Sequence, residues 1–593
     1  MLRISATVLF AMLSLAVLTL SRPAPAAEYY LDSTGGSDEN AGTAPDQAWA
    51  SLDRLARVEL APGDSLRLRR GETFRGRLRL RGSGTADAPI TVGAWGEGFR
   101  PEIVGSVLLD GWEAAGGEVY RVRIPENAFY GQRKVFSIYE YDGNLPLRLQ
   151  RDGALPTERG HFFLDPETLT LSVITTDGRP PTDHRLEVSV IEQLVDLQDQ
   201  RWLVFEDLSL LMGNCRHVVL TGCGDLIFRN CASMFVGMYG NPNFIVTGGS
   251  RRVEILDCLL YENVNCGILF TAGAAECRVA GCTIALCASN DGITCHSGGT
   301  DAAGVRQGLC GDRVVIENNV ISLCPEESID ITSGDYHVLR GNICHHDGNP
   351  GIIIGHDSDH VLVENNISCY NRGGIYVAGK PEEGARGCNR VVGNLCYENS
   401  YPGLEIYAND TEATNNTIVN SRERVAVRIN PEAARVVLRN NIIAMLDPTI
   451  PHPLVHFIGC TPESLGAVMA SNLLYHAADL AKPEVFFAPG QVFRTDDGAF
   501  TPEQFLARYG TGDGTIVGDP GFRAVEERRY LLSEGSPAVD AGADVGLPFA
   551  GAAPDLGWRE LGSEADAPTY PAGLLYGGPS DRQTILELWG KAG

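Results

Sequence analysis

A parallel β-helix, an all-β solenoid, is the fold class the sequence predicts, and three observations predict it. A motif recurs from about residue 200 to 445, each recurrence contains strands of only three or four residues, and Gly, Asn or Asp flanks every strand. The first strand superposes as Gly267-Ile268-Leu269-Phe270, Gly292-Ile293-Thr294-Cys295, Ser328-Ile329-Asp330-Ile331, Gly351-Ile352-Ile353-Ile354, Gly374-Ile375-Tyr376-Val377, Gly403-Leu404-Glu405-Ile406 and Ala426-Val427-Arg428-Ile429. Several steps (328 to 351, 351 to 374, 403 to 426) are 23 residues long, and the others are longer, as if loops were inserted into a fixed coil. One coil cannot bury its own inner face, so coils must stack and share an apolar column.

A second strand accompanies each unit, as in Arg313-Val314-Val315-Ile316, His337-Val338-Leu339, His360-Val361-Leu362-Val363 and Arg390-Val391-Val392. An Asn-Asn or Gly-Asn doublet follows, at Asn318-Asn319, Gly341-Asn342, Asn365-Asn366, Gly393-Asn394, Asn415-Asn416 and Asn440-Asn441. Aligned Asn side chains predict an amide ladder down one turn of the column. A leucine-rich repeat is excluded by the missing Leu consensus and helical half.

The remaining elements follow in chain order. Arg3, the apolar run Val8 to Leu20 and Ala24-Pro25-Ala26-Ala27 describe a secretory signal over residues 1–27, so a secreted or periplasmic protein is expected. Residues 28–110 read as an N-terminal cap, with a helix-like Trp49 to Val58, and the first coils. Residues 111–190 break the repeat with alternating runs such as Glu118-Val119-Tyr120-Arg121-Val122 and Thr168-Leu169-Thr170-Leu171-Ser172-Val173. They predict a small inserted antiparallel β-sandwich or barrel. The β-helix with its closing segment occupies 191–565, and 566–593 form a tail.

Composition narrows the partners. The 593 residues hold Lys+Arg 48 against Asp+Glu 75, a net charge of -27, which disfavours nucleic acid and anionic lipid. No later stretch reaches ~20 apolar residues, so membrane insertion is not expected. Of the 16 cysteines, thirteen fall between Cys231 and Cys396. Cys344, Cys369 and Cys396 follow an Asn by two or three residues and read as one buried repeat position rather than as a disulfide framework, although some pairs stay open to oxidation.

The repeat, together with Tyr29-Tyr30-Leu31-Asp32, Gly35-Gly36-Ser37-Asp38 and Pro62-Gly63-Asp64-Ser65-Leu66, resembles the right-handed parallel β-helix, pectin-lyase-like superfamily. Gly518-Asp519-Pro520-Gly521-Phe522 and Gly535-Ser536-Pro537-Ala538 are similar to its closing segment. The resemblance implies a secreted carbohydrate-active protein, because the insertion is similar to that of several β-helix glycoside hydrolases. The superfamily also hosts lyases, epimerases and non-catalytic members, so fold alone does not select the chemistry.

Strand alternation turns Ile293, Ile329, Ile352, Ile375, Leu404 and Val427 inward. The next residues then form an outer ladder: Thr294, Asp330, Ile353, Tyr376, Glu405 and Arg428. A second row holds His296, Thr332, Gly355, Ala378, Tyr407 and Asn430, and long inserts leave the same face at 297–311 and 379–387. Asp291 and Glu327 occupy equivalent places on consecutive coils, about one ~4.8 Å spacing apart, close enough to raise one pKa. Glycoside hydrolysis needs two such carboxylates. The expected catalytic residues are therefore Asp330, Glu327 and Asp291, with His296, His356, Asp357, Tyr376, Lys380, Glu405 and Tyr407 binding substrate. Asp291-Gly292 also reads as a plain turn, Glu326 and Glu327 as solvated surface, and Asp330 as structural. His337 and His360 read as part of a basic surface ladder.

The runs His345-His346-Asp347-Gly348 and His356-Asp357-Ser358-Asp359-His360 invite a metal, but spacing alone fixes no geometry. No metal or cofactor is expected, with Ca²⁺ the one cation left open. A glycoside hydrolase acting on a poly- or oligosaccharide is the leading expectation. A uronate lyase or epimerase ranks second, because such chemistry uses a strong base and Lys380 is the sole lysine on this face. A non-catalytic glycan-binding or envelope β-helix is the third reading.

Overall fold

The computed structural model describes residues 26–142, 145–237, 240–297, 299–300, 306–378, 387–477, 491–510, 513–563 and 582–589. Lys380, most of the expected signal segment and most of the expected tail lie outside them. The molecule is a parallel β-solenoid of three long sheets. A first sheet of 14 strands runs from Glu28–Leu31 to Val468–Ala470, a second of 14 from Thr73–Arg75 to Ile516–Val517, and a third of 13 from Gln193–Gln198 to Gly498–Phe500. From Gln193–Gln198 onward each coil contributes one strand to each sheet, as Val315–Glu317, Val320–Ser322 and Ile329–Ser333 do in turn.

The inner face is apolar because every strand alternates. Ile293, Ile329, Ile352, Ile375, Leu404 and Val427 form one inward stack and are buried. Aromatic stacking extends the column upward, with Phe205 and Phe228 rings 4.5 Å apart and nearly parallel. The short 3₁₀ helix Leu52–Arg57 lays Leu52 and Leu55 over the amino end. Helix Pro502–Tyr509 closes the other, where Phe505 stacks on Phe493 at 4.1 Å.

The Asn doublets make the corner between the first and second sheets. Their first members turn the chain through left-handed backbone, with φ 56° at Asn318, 64° at Gly341, 58° at Asn365 and 63° at Gly393. Gly and Asn tolerate that conformation best, which explains why these two types alternate there. Their second members build the expected ladder. Asn394 donates to Val363 O at 2.8 Å and to Asn416 Oδ1 at 2.9 Å, and accepts from the Asn366 backbone at 2.9 Å. In earlier coils Cys231, Cys258 and Cys282 take this place, and the Cys282 amide donates to Asn319 Oδ1 at 2.9 Å. Small, weakly polar thiols fill there the corner that Asn side chains fill in later coils.

Two details differ from the sequence reading. Cys344 pairs with Ser368 and Ser368 with Cys396, whereas Cys369 lies one residue on, beside His345 and Tyr397. Cys369 therefore faces outward, buried under the closing segment rather than in the column. His337 is not on the surface either. It is fully buried, its Nδ1 accepting from the Val314 amide at 3.0 Å and its Nε2 3.1 Å from Ser333 O. Burial depresses its pKa, and this bonding suits a neutral ring.

Between Glu102–Val104 and Gln193–Gln198 the chain forms two small, mainly antiparallel sheets of four and five strands. They enclose a separate core of Val122, Ile138, Phe162, Leu171, Val173 and Val188. The segment around Tyr530, Leu531 and Trp558 covers the outer face of the second sheet over Ile343, Ile367, Leu395 and Tyr397. On the first sheet, Arg278 and Arg340 flank Glu317, and Arg340 also reaches Glu364 at 3.4 Å. Closing chain covers the second sheet's outer face; the first sheet's carries ion pairs and a hollow of about 470 Å³ lined by Trp202, Asp225 and Arg252, and the third sheet's carries the row that holds Asp330. Among the described residues no helix is long and apolar enough to cross a membrane.

Candidate active site

The register of the third sheet produces the outer ladder directly. Thr294 pairs with Asp330, Asp330 with Ile353, Ile353 with Tyr376, Tyr376 with Glu405, and Glu405 with Arg428. The row continues through His456 to Arg494. At the turn before this sheet, Gly292 N donates to Glu327 O at 3.0 Å, which stacks Asp291 and Glu327 on consecutive coils. Asp291, Glu327 and Asp330 thus meet on one wall.

Their environment is unusual for carboxylates. Asp291 is 2% exposed and Glu327 and Asp330 are each 9% exposed. The Glu327 amide donates to Asp291 Oδ1 at 3.1 Å. Burial, then the charges of Asp330 and Glu327, push the Asp291 carboxyl well above its usual range. Burial also raises Glu327, and the neighbouring Glu326 adds to it, but a bond from Asp291 and one from Asn349 oppose the rise. The two carboxyls titrate as a pair, both held above the usual carboxylate range. Glu327 is not a solvated surface residue, although Glu326 beside it is exposed.

A further acid lies behind this pair. Asp347 accepts from the Cys324 amide at 2.9 Å and from the Ser328 hydroxyl, and burial pushes its carboxyl well above the usual range. It heads a second amide ladder, since its own amide donates to Asn371 Oδ1 at 2.9 Å and Asn371 N to Asn399 Oδ1 at 3.0 Å. The adjacent His345 is buried, with its pKa lowered to about 3, and is neutral.

The expected binding residues divide into two groups. His296 is exposed beside the acids, on the row of Thr332, with Nδ1 2.7 Å from Ser297 O. Asp357 follows a β-bulge after Ile354 and pairs with Ser333. Tyr376, Glu405 and Tyr407 sit two to three coils away, ~10–14 Å at one ladder spacing per coil. The Tyr376 and Tyr407 rings are 5.1 Å apart, and Glu405 binds Arg428 at 3.2 Å and Asn430 at 3.3 Å. They line a hollow of about 230 Å³. The His356 side chain, like Lys380, lies outside the described parts.

Asp291, Glu326 and Glu327 each bring a carboxylate oxygen within 4.8 Å of the others, the one such acidic group among the described residues. A hard cation such as Ca²⁺ would take oxygen ligands of this kind, in competition with protons on Asp291 and Glu327.

Sequence reasoning passed over Arg372, Tyr401 and Arg424, which precede the third-sheet strands at equivalent turns. Aligning the repeat two places before its Gly or Ser would have placed all three in one row. It also missed His456 and Arg494, whose strands Val455–Phe457 and Phe493–Thr495 lie beyond the clear repeat.

Residues 303–443 match the family described as "Right handed beta helix region". A segment of 73 residues is 41% identical to part of a lacto-N-biosidase of Bifidobacterium longum subsp. longum, covering 12% of this chain and 5% of that protein. Another of 88 residues is 35% identical to part of alpha-1,3-galactosidase A of Akkermansia muciniphila, covering 12% of this chain and 15% of that protein. The chain spans only these small fractions of the curated relatives' lengths. Among solved structures, the complex of XylC with xylose is similar at a TM-score of 0.49 and 13% identity, covering 84% of this chain and 87% of that one.

Proposed function

We propose that this protein is an exported glycoside hydrolase that cleaves a poly- or oligosaccharide lying along the outer face of the third sheet. The observation that carries the reading is the buried, stacked pair Asp291–Glu327 set on the same wall as Asp330. Local sequence identity to parts of two glycosidases supports it. Glycosidic cleavage passes through an oxocarbenium-like state that needs a proton on the leaving oxygen and an anion or activated water at the anomeric carbon, on the opposite face of the ring. The Asp291–Glu327 pair, whose proton affinity is raised by burial and by the neighbouring acids, supplies the acid, with Glu327 the more exposed member. Asp330, an outward carboxylate on a rigid strand, is the second group. Because the pair is in direct contact, it acts as one acid, and the separation that sets stereochemistry is the one from it to Asp330. Tyr376 and Tyr407 offer rings for a sugar to stack on.

The test is incubation with neutral and acidic oligosaccharides. Hydrolysis predicts new reducing ends without an unsaturated product. An ultraviolet-absorbing unsaturated uronate would instead indicate a lyase, and binding without cleavage a non-catalytic glycan receptor.

A further inference from the structure

The third-sheet face changes sign along its length. At the turns leading into it, successive coils place Glu326, Asn349, Arg372, Tyr401 and Arg424 above one another. The Asn349 amide donates to Glu326 O at 3.3 Å, and the Arg372 guanidinium donates to Asn349 Oδ1 at 3.3 Å. Tyr401 is sandwiched: the Arg372 guanidinium lies 4.7 Å from its ring centroid and that of Arg424 lies 5.1 Å away. Both also bond to the Tyr401 hydroxyl and hold its pKa down. Among the described residues, these two cations are directed at Tyr401 and Asn349 rather than at a carboxylate.

The strand ladder beside this row turns basic over the same coils, with Arg428, His456 and Arg494 on consecutive rungs. Burial, and then the charges of Arg494 and Arg428, lower the His456 pKa to about 4. Two adjoining hollows, of about 230 and 250 Å³, share Arg428 and Pro402. Their walls carry Arg372, Arg424, Arg428 and Arg494 against Glu405 and Glu423, and Glu405 is already occupied by Arg428 and Asn430. A cationic basin in a chain of net charge -27 is a local exception that attracts an anion against the general field.

We propose that this basin is a subsite for a single anionic group of the glycan, a carboxylate or a sulfate ester, held by Arg372 and Arg424 beside the Arg428–Glu405 pair. The inference rests on the hydrolase reading and adds the substrate class to it. From Asp330 to Arg428 is four rungs, or ~19 Å, so the charged unit lies several sugars from the bond that breaks. A polyanion fits poorly, because it would have to run past Asp291, Glu326, Glu327 and Asp330. Guanidiniums suit planar carboxylate and sulfate oxygens through paired N–H donors.

The test is calorimetric binding to full-length Asp330→Asn protein of three probes built on one oligosaccharide: the neutral form, the form oxidised at a terminal C6 to a uronate, and the form bearing one sulfate ester. At least one anionic probe should bind tenfold or more tightly than the neutral one, and added salt should shrink the difference. Arg372→Gln/Arg424→Gln, which alters two exposed side chains, should bring the ratio to within about twofold. The uronate and sulfate arms identify which anion is taken. Equal binding of all three probes, or a preference that survives the double variant, overturns the proposal. Cleavage of the neutral probe by wild type without any anionic preference would leave hydrolysis standing and remove the subsite. Anionic preference without cleavage of any probe would do the reverse. No binding of any probe would overturn both.

Discussion

The Glu327 backbone amide donates to the Asp291 carboxylate at 3.1 Å, and this bond between neighbouring coils holds two acids in contact inside a nearly dry turn. Stacking at the coil spacing is what forces the contact. Neither acid can ionise without facing the other, so the fold itself raises their affinity for a proton beside Asp330.

Asp330→Asn should lower turnover by about 10²–10⁴-fold, the range for loss of a catalytic proton-transfer or anionic group, with an unchanged circular dichroism spectrum and melting temperature. Steady-state kinetics on the substrate that wild type cleaves measures this. Full activity would remove Asp330 from the reaction.

Asp347 gives a stability prediction with a definite sign. Its native pKa is raised above the unfolded value, so the native state binds the extra proton. That contribution is complete below the ordinary Asp pKa and is lost as pH rises through the raised value. Asn at this position is neutral and extends the ladder of Asn371 and Asn399. Asp347→Asn should therefore melt higher than wild type at alkaline pH, with the gap widening by up to about 1.4 kcal/mol per unit until the raised pKa is passed. Thermal melts across about pH 5 to 9 would show it, and a gap independent of pH would contradict it.

Asn394→Ala removes a buried amide that donates to Val363 O and Asn416 Oδ1 and accepts from Asn366. Several backbone and side-chain groups would lose partners without reaching water. A loss of about 3–5 kcal/mol in denaturant unfolding is expected, against about 0.5 kcal/mol or less for an exposed control such as Glu432→Ala.

All 16 cysteines are free, and Cys388 alone is exposed. A thiol reagent should titrate one group per native chain and sixteen after denaturation without reductant. A smaller denatured count would reveal disulfides.

Much of this was legible in the sequence, because a solenoid repeats its own instructions. The Gly or Ser before Ile293, Ile329 and Ile352 fixes the register, and register alone puts Asp330 beside Thr294. The Asn doublets announce both the left-handed corner and the ladder. Turns were harder, since a turn residue's direction depends on what lies outside the coil. Cys369 resembled Cys344 in spacing yet faces the closing segment, and His337 followed a surface pattern yet finds two backbone partners inside. The Arg372–Tyr401–Arg424 stack escaped notice because strand periodicity does not extend to the residues before the strand.

The most direct measurement is a crystal structure of Asp330→Asn bound to an oligosaccharide that wild type degrades. The account predicts a glycosidic oxygen within hydrogen-bond reach of Glu327, with the sugar chain following the third sheet toward Tyr376 and Arg428. Sugar bound instead on the first sheet, around Trp202 and Arg252, with Asp291 and Glu327 untouched, would contradict it.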